Sequence, residues 1–498
     1  MAKDYTLSKS SYIKGLQCEK QLYFYKHNYD LKDSVSEMQL AIFKKGTDTG
    51  ILAQSLFPDG IDASASSHFK YKEGIEKTSK LMLNQNQTIY EAAFVYDEIL
   101  VIADIVVKSG NTINVYEVKS GTSVTNVIIN DAAIQYHVIS NAGYKINDFS
   151  IIYINRNYIR DGELDIDSLF KIKSVKQKIK SLQKNIYKNI NHFNEILSQS
   201  EAPQIGIGSH CTNPYQCSFI GTCWKDVPVY SIFNIAGLSQ EKKFDLYNKG
   251  ITELKNIPGD YPLTPLQWLQ VNSELRNEKV IKQKEIKSFL AKLKYPLYFL
   301  DFESFQPAVP IFDKSKPYQQ IPFQFSLHIK ESEDSQLKHY EFLAEPATDP
   351  RTKLADALIP LIGNSGSIVV YNKVYEVSIL NKIATDFPEY AEDLANILSK
   401  IVDLMEPFEK RYYYSPDLKG SYSIKYVLPS LVPELSYAGL AIKEGGEASL
   451  FYEQLLHEED YRKIESVKEA LLRYCELDTL AMVKIVERLR EISNEFHN

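Results

Sequence analysis

The sequence lacks any long hydrophobic run. Its longest apolar stretches, such as Ile99 to Val107, are interrupted by the charge of Asp104 and fall well short of the ~20 apolar residues that cross a bilayer. No membrane span or membrane partner is therefore expected. The first ten residues, MAKDYTLSKS, hold no apolar stretch of signal-peptide length, so the expected location is the cytoplasm. A dominant charge is missing too. Lys and Arg number 57 against 64 Asp and Glu, a net charge of −7, and 44% of residues are hydrophobic and 24% charged. Such a balance argues against a disordered, collagenous or supercharged chain. At roughly 150 residues per domain, a 498-residue chain suggests about three domains.

Cysteine is scarce, five in all, and disulfides rarely persist in a reducing compartment, so clustered cysteines there point to metal. Cys211, Cys217 and Cys223 fall in HCTNPYQCSFIGTC with two gaps of five residues, and Cys18 lies far upstream in YIKGLQCEKQLYFY. Four thiolates suit either an iron-sulfur cluster or a tetrahedral Zn²⁺, and the residues alone do not separate the two. Cys475 stands apart and reads as a small buried side chain.

What is present reads as an α/β multidomain chain. Thr88 to Ser120 holds three β-rich runs broken by YDE and SGN, the pattern of a meander. A helix is expected over Asn130 to Ala142, then an apolar strand over Phe149 to Ile154, which together imply a mixed sheet. Phe170 to Ile190 sets Ile172, Val175, Ile179, Leu182, Ile186 and Ile190 at helical spacing among seven lysines and no acid. It is expected to be one basic amphipathic helix, a solvated face over a packed stripe, with phosphate contact the minor reading. Residues 227–290 turn helical and repeat a phrase, NIAG at Asn234 to Gly237 and NIPG at Asn256 to Gly259, as a helical connector would. Beyond Tyr295 a second β-rich series, LYFLDFE, FQFSLHI, HYEFLAE and SIVVYN, leads to helices and a long terminal helix from about Tyr461. The expected domains are 1–226, 227–290 and 291–498.

Two sets of residues carry chemistry. In the first, Asp104 sits within an apolar strand, and Glu117 and Lys119 flank Val118 on one face of the next. Paired carboxylates are hard ligands for Mg²⁺ or Mn²⁺, and an adjacent lysine can position the attacking water. Phosphodiester hydrolysis needs such a set. In the second, Asp301 and Glu303 share a strand face, while Tyr474 and Asp478 are neighbours at i, i+4 on a helix. Between them Glu376 follows the strand SIVVY in Asn372-Lys373-Val374-Tyr375-Glu376. Asp403 reads as a helix cap or surface acid. Lys419, Ser421, Ser423 and Lys425 in KGSYSIKYVLP offer amines and hydroxyls to a phosphate backbone, or form an ordinary loop.

The order Glu91, Asp104, Glu117-Val118-Lys119, then a helix carrying Gln135, resembles the RecB-like branch of the PD-(D/E)XK nucleases. One early and three late cysteines are similar to the iron-sulfur members of that branch, such as the CRISPR adaptation nucleases and AddB. The resemblance implies a restriction-endonuclease-like mixed sheet and a [4Fe-4S] cluster on Cys18, Cys211, Cys217 and Cys223. The second set, D-x-E, N-x-x-Y-E and Y-x-x-x-D, resembles the tyrosine-bearing DEDDy exonucleases of the DnaQ/RNase D superfamily. That implies an RNase H-like mixed sheet in which Asp301, Glu303 and Asp478 hold two Mg²⁺ or Mn²⁺ ions, Glu376 adds a fourth acid and Tyr474 orients water. Gln135, Lys419 and Lys425 would contact nucleic acid. The chain departs from these families at Gln54, where the first often has a metal-binding His, at Ile139, where a Tyr is usual, and at Glu376, where the second usually has Asp. The joined arrangement implies a metal-dependent DNA exonuclease with two active sites, serving repair, recombination or defence. The alternatives are a nucleic-acid-binding scaffold without chemistry and an RNA-trimming 3'-5' exonuclease.

Overall fold

The β-rich runs between Thr88 and Ser120 become long antiparallel strands, because apolar residues recur on both faces and each face is covered. The computed structural model describes residues 6–67, 70–346 and 348–495. In its first part β1 (Leu7–Ser8), β2 (Ile61–Asp62), β3 (Asn86–Tyr96), β4 (Ile99–Ser109), β5 (Thr112–Lys119), β6 (Ile146–Ile154) and β7 (Phe170–Ser174) form one sheet. The order is β2-β3-β4-β5-β6-β7, with β1 joining β4. β3, β4 and β5 are antiparallel neighbours, whereas β5 and β6 run parallel, joined through the Asn126–Asn141 helix. Thr125 starts that helix a turn earlier than expected, its hydroxyl accepting from Ile128 N. Ile128, Ala132, Ile134 and Val138 then pack on a core with Ile89, Val101, Val115 and Phe149.

The single basic helix expected over Phe170 to Ile190 is not one element. Phe170–Ser174 is β7, paired antiparallel with β6, and two helices follow, Lys176–Ser181 and Gln183–Ser198. The segment FKIKS alternates apolar and basic residues, and in the strand Phe170 is buried while Lys171, Ile172 and Lys173 are exposed, which suits an edge strand protected by lysines. Only from Val175 onward does the expected apolar stripe hold, with Ile179, Ile186 and Ile190 in the core.

In the second part β8 (Val280–Ile281) pairs with β14 (Tyr413–Tyr414) as a small ribbon. The main sheet is built from β9 (Leu297–Phe305), β10 (Ile321–Lys330), β11 (Lys338–Leu343), β12 (Ser367–Val370) and β13 (Ile401–Asp403), in the order β11-β10-β9-β12-β13. β9, β10 and β11 are antiparallel, and β12 and β13 run parallel to β9. On the central strand Tyr298, Leu300 and Phe302 enter a core with Phe325, Leu327, Ile368 and Val370. The alternate residues Phe299, Asp301, Glu303 and Phe305 must then face the other way, toward the helix Tyr461–Asn494 that packs on β9 and β10.

By packing, the chain divides into Met1–Asp226 with Pro307–Tyr318, and Val227–Gln306 with Gln319–Asn498. Residues 227–290 fall inside the second unit. They keep a small core of their own, including Ile232, Leu246, Leu254 and Val271, and each repeated phrase opens on the last residue of a 3-10 turn, Ile232–Asn234 or Leu254–Asn256. Residues 307–318 join the first unit through apolar burial. Ala308 shares a core with Ile105, Ile152 and Leu169, and Tyr318 donates its hydroxyl to Ser120 O at 2.6 Å. Among the described residues no helix is long and apolar enough to cross a membrane.

Candidate functional site

Alternation on β9 puts Asp301 and Glu303 on the face crossed by the terminal helix, which brings Asp478. One carboxylate oxygen from each of the three lies within 4.8 Å of the others, and Glu303 and Asp478 are only 7% exposed. Crowded acids with little water disfavour ionisation. Burial, then the Asp478 charge, pushes Asp301 well above its ordinary range, and burial with Asp301 and Asp478 does the same to Glu303. Burial raises Asp478 to about 6 against the hydrogen bond from Tyr437 and the charge of Lys425. The Tyr437 hydroxyl donates to Asp478 Oδ1 at 2.6 Å. Tyr474 is buried beside it, its ring 6.2 Å from that of Tyr437, and its hydroxyl also favours the ionised Asp478. Lys425 lies over both rings, 5.4 Å from the Tyr474 centroid, and donates to Lys443 O.

Glu376 sits in the first turn of the Lys373–Asp386 helix, 1% exposed, with an Oε2 that has no hydrogen-bond partner. Burial, then the Asp301 charge, raises it to about 9. A buried, unpartnered acid is costly, and a cation would relieve it. Carboxylate oxygens without nitrogen or sulfur fit a hard divalent ion such as Mg²⁺ or Mn²⁺. Cys475 lies behind the trio, its Sγ 3.6 Å from Asp301 Oδ2. Burial pushes its thiol well above the ordinary range and keeps it a protonated, weak donor. Asp403 caps the Glu376 helix, accepting from Asn372 N and Lys373 N at 3.1 Å each.

In the first unit Asp104, Glu117, Lys119 and Gln135 also come together. Asp104 Oδ2 accepts from Val118 N at 2.6 Å. Glu117, 1% exposed, accepts from Lys9 Nζ at 2.8 Å, Lys119 Nζ at 2.7 Å and Gln135 Nε2 at 2.8 Å. Lys119 pairs in addition with Asp131 at 2.6 Å. Burial works to raise Glu117, but Lys119 and Lys9 outweigh it and hold the acid down at about 2. Asp104 is raised to about 7 by burial and by Glu117. Glu91 has a left-handed backbone, φ 53°, between the paired Tyr90 and Ala92. This irregularity turns its side chain into the cleft it lines with Lys9, a use typical of bulges beside active sites.

Gln135 was expected against nucleic acid. It is fully buried, and its Nε2 donates to Glu117 Oε2 at 2.8 Å. Lys419 is exposed, with a left-handed φ of 46°, and packing fixes its turn: a Cβ on the following Gly420 would come within 2.1 Å of Asn234 O. Lys425 belongs to the acid trio. Sequence reasoning missed Lys9, Asp131 and Tyr437. Asp131 precedes Gln135 by four residues on one helix, a visible spacing, but neither Lys9 nor Tyr437 carries any local signal.

The four cysteines line one crevice, with Phe24 and Ile207 among its walls. Burial raises the Cys18, Cys217 and Cys223 thiols, Cys217 to about 12. No three of the sulfur atoms lie within 4.8 Å of one another. A single tetrahedral Zn²⁺ with 2.3 Å bonds would draw them to about 3.8 Å.

Fold and site thus define a two-unit α/β protein with a buried carboxylate cluster on the central strand of its second sheet. The profile of a family described as Domain of unknown function (DUF2779) matches residues 298–423, a stretch that holds Asp301, Glu303 and Glu376 but ends before Asp478. The chain is similar to "Uncharacterized protein MG366 homolog" of Mycoplasma pneumoniae, 32% identical over 220 residues, which are 40% of this chain and 33% of that protein. It is also similar to "Uncharacterized protein UU173" of Ureaplasma parvum, 29% identical over 280 residues, 51% of this chain and 39% of that protein. The matches therefore span between a third and two fifths of those relatives' length.

Proposed function

We propose that the chain is a metal-dependent nuclease that hydrolyses phosphodiester bonds in DNA, with Asp301, Glu303 and Asp478 as the centre of its second unit. The observation that carries this reading is the approach of three acids within 4.8 Å, two of them 7% exposed. Such a gathering of like charge is unfavourable unless a cation is meant to enter it. The strand order β11-β10-β9-β12-β13, with acids on the central strand and on two flanking helices, agrees with the RNase H-like DEDDy resemblance. A divalent ion held by these carboxylates supplies positive charge to a phosphodiester and makes water acidic enough to attack it. The side chains do the rest. Tyr437 fixes the Asp478 rotamer, Tyr474 stands where it can orient water, and Lys425 adds positive charge for a phosphate.

In the first unit the reading is a PD-(D/E)XK-like centre of Asp104, Glu117 and Lys119, positioned by Gln135. A second reading of that unit, a nucleic-acid scaffold without chemistry, is favoured by Lys9 and Lys119 occupying Glu117. For the thiol crevice, the order of one early and three late cysteines supports a [4Fe-4S] cluster, with Zn²⁺ as the alternative that four thiolates equally suit. Anaerobic purification with iron and zinc analysis separates the two.

The test is hydrolysis of single-stranded DNA, duplex DNA and matched RNA with Mg²⁺ or Mn²⁺. Asp301→Asn is expected to lower the rate on the order of 10³-fold, since each 1.36 kcal/mol is tenfold and metal stabilisation amounts to several kcal/mol. Unchanged hydrolysis in an Asp301→Asn, Lys119→Ala double variant removes both centres. Preference for RNA moves the substrate class but keeps the chemistry.

A further inference from the structure

The face of β10 beside the acid trio carries an unusual row. Gln324, Ser326 and His328 alternate along a fully buried strand face where apolar residues would be expected. His328 stands directly opposite His339 of β11, their rings stacked at 4.4 Å. Glu476 of the terminal helix completes the group: one ligand atom of each of His328, His339 and Glu476 lies within 4.8 Å of the others. The burial is graded, with His328 4% exposed, His339 partly covered and Glu476 open to solvent.

Hydrogen bonds decide which ring nitrogens are free. Thr479 Oγ1 lies 2.8 Å from His328 Nδ1, 2.7 Å from Ser326 Oγ and 3.1 Å from Glu476 O. A carbonyl only accepts; with the Thr479 proton given to Glu476 O, Thr479 accepts from His328 Nδ1–H and from the Ser326 hydroxyl. Ser326 Oγ, 2.9 Å from His339 Nε2, then accepts from that nitrogen. This assignment leaves His328 Nε2 and His339 Nδ1 as lone pairs. His339 Nδ1 is the atom 3.8 Å from Glu476 Oε1. One ring nitrogen bonded to a hydroxyl and the other left open is how metal-binding imidazoles are oriented by their surroundings. Burial, then His339, lowers His328 to about 4, so its ring is neutral at physiological pH.

We infer that His328, His339 and Glu476 form a binding site for a borderline divalent transition-metal ion of the Zn²⁺ class, distinct from the carboxylate centre. Two imidazoles and one carboxylate favour Zn²⁺, Co²⁺ or Ni²⁺ over Mg²⁺. The site joins the β10–β11 hairpin to the terminal helix, and Thr479, which orients His328, is the residue next to Asp478. The ion would anchor the part of the helix that delivers Asp478 to the trio.

Calorimetric titration of the full chain with Zn²⁺ tests this, using Glu476→Gln, His339→Gln and, as a control on the carboxylate centre, Asp301→Asn. Wild type is expected to bind one equivalent more than His339→Gln, Asp301→Asn to keep the equivalent that His339→Gln loses, and Glu476→Gln to bind that equivalent at least roughly tenfold more weakly. Glu476 is exposed, so its substitution keeps the measurement valid if the His339 variant fails to fold. In a zinc-soaked crystal, anomalous scattering should peak between His328 Nε2 and His339 Nδ1. Equal stoichiometry and affinity in wild type and Glu476→Gln, or no such peak, overturns the inference.

Discussion

In the first unit, Glu117 accepts from two ammonium groups and one amide, each within 2.8 Å. In the second, Asp301, Glu303 and Asp478 face one another with one hydroxyl donor at 2.6 Å and a lysine held over aromatic rings. Both are buried acid groups built on central strands. One already contains its counter-charges, whereas the other leaves a deficit of positive charge inside a low-dielectric pocket. The consequence is an opposite response to neutralisation. Removing the Glu117 charge strands two lysines, while removing a charge from the trio relieves repulsion.

The largest expected effect tests that opposition in the absence of metal. Glu117→Gln should destabilise the first unit by about 2–3 kcal/mol, because breaking a paired charge leaves its partners uncompensated. Asp301→Asn should stabilise the metal-free second unit by about 1–2 kcal/mol. Urea unfolding in chelator, with a probe in each unit, reads both, and a common sign would break the comparison.

A second effect follows pH. Asp478 is raised from 3.8 to about 6, so the folded second unit binds more protons than the unfolded chain. This acid's contribution to stability is therefore full below pH 3.8 and is lost as pH rises through 6, roughly 3 kcal/mol. Glu117 runs the other way. Held down at about 2 from 4.5, it contributes stability above pH 4.5 that is lost as pH falls through 2, while Asp104, raised to about 7, opposes it. Melting curves from pH 3 to 8 in chelator measure these slopes, and Mn²⁺ at neutral pH should restore the second unit. The smallest effect is that of Tyr437→Phe, which deletes the hydrogen bond that favours ionised Asp478. It should move the acid limb of the pH–rate profile upward by about one unit, the equivalent of one such bond.

The acids of both centres were legible because strand and helix periods put them on common faces: Asp301 with Glu303, Glu117 with Lys119, Tyr474 with Asp478. The strand series after Tyr295 and the terminal helix were legible for the same reason. Phe170–Ser174 was misread because its alternating residues also fit the start of a helical stripe, and only pairing with β6 decides between the periods. Lys9 could not be anticipated, since its tie to Glu117 spans 108 residues and no local pattern encodes it. His328 and His339 went unnoticed because cross-strand register, not spacing, makes them neighbours.

The chain's path between β9 and β10 has a practical corollary. Residues 307–318 are coded within the second half yet fill apolar space among Ile105, Ile152 and Leu169. A fragment ending at residue 226 would carry an open wound where Ala308 belongs, prone to self-association in a test tube. The halves cannot be shuffled as independent cassettes: whoever subclones the amino-terminal half must graft that dodecapeptide back, by linker or in trans.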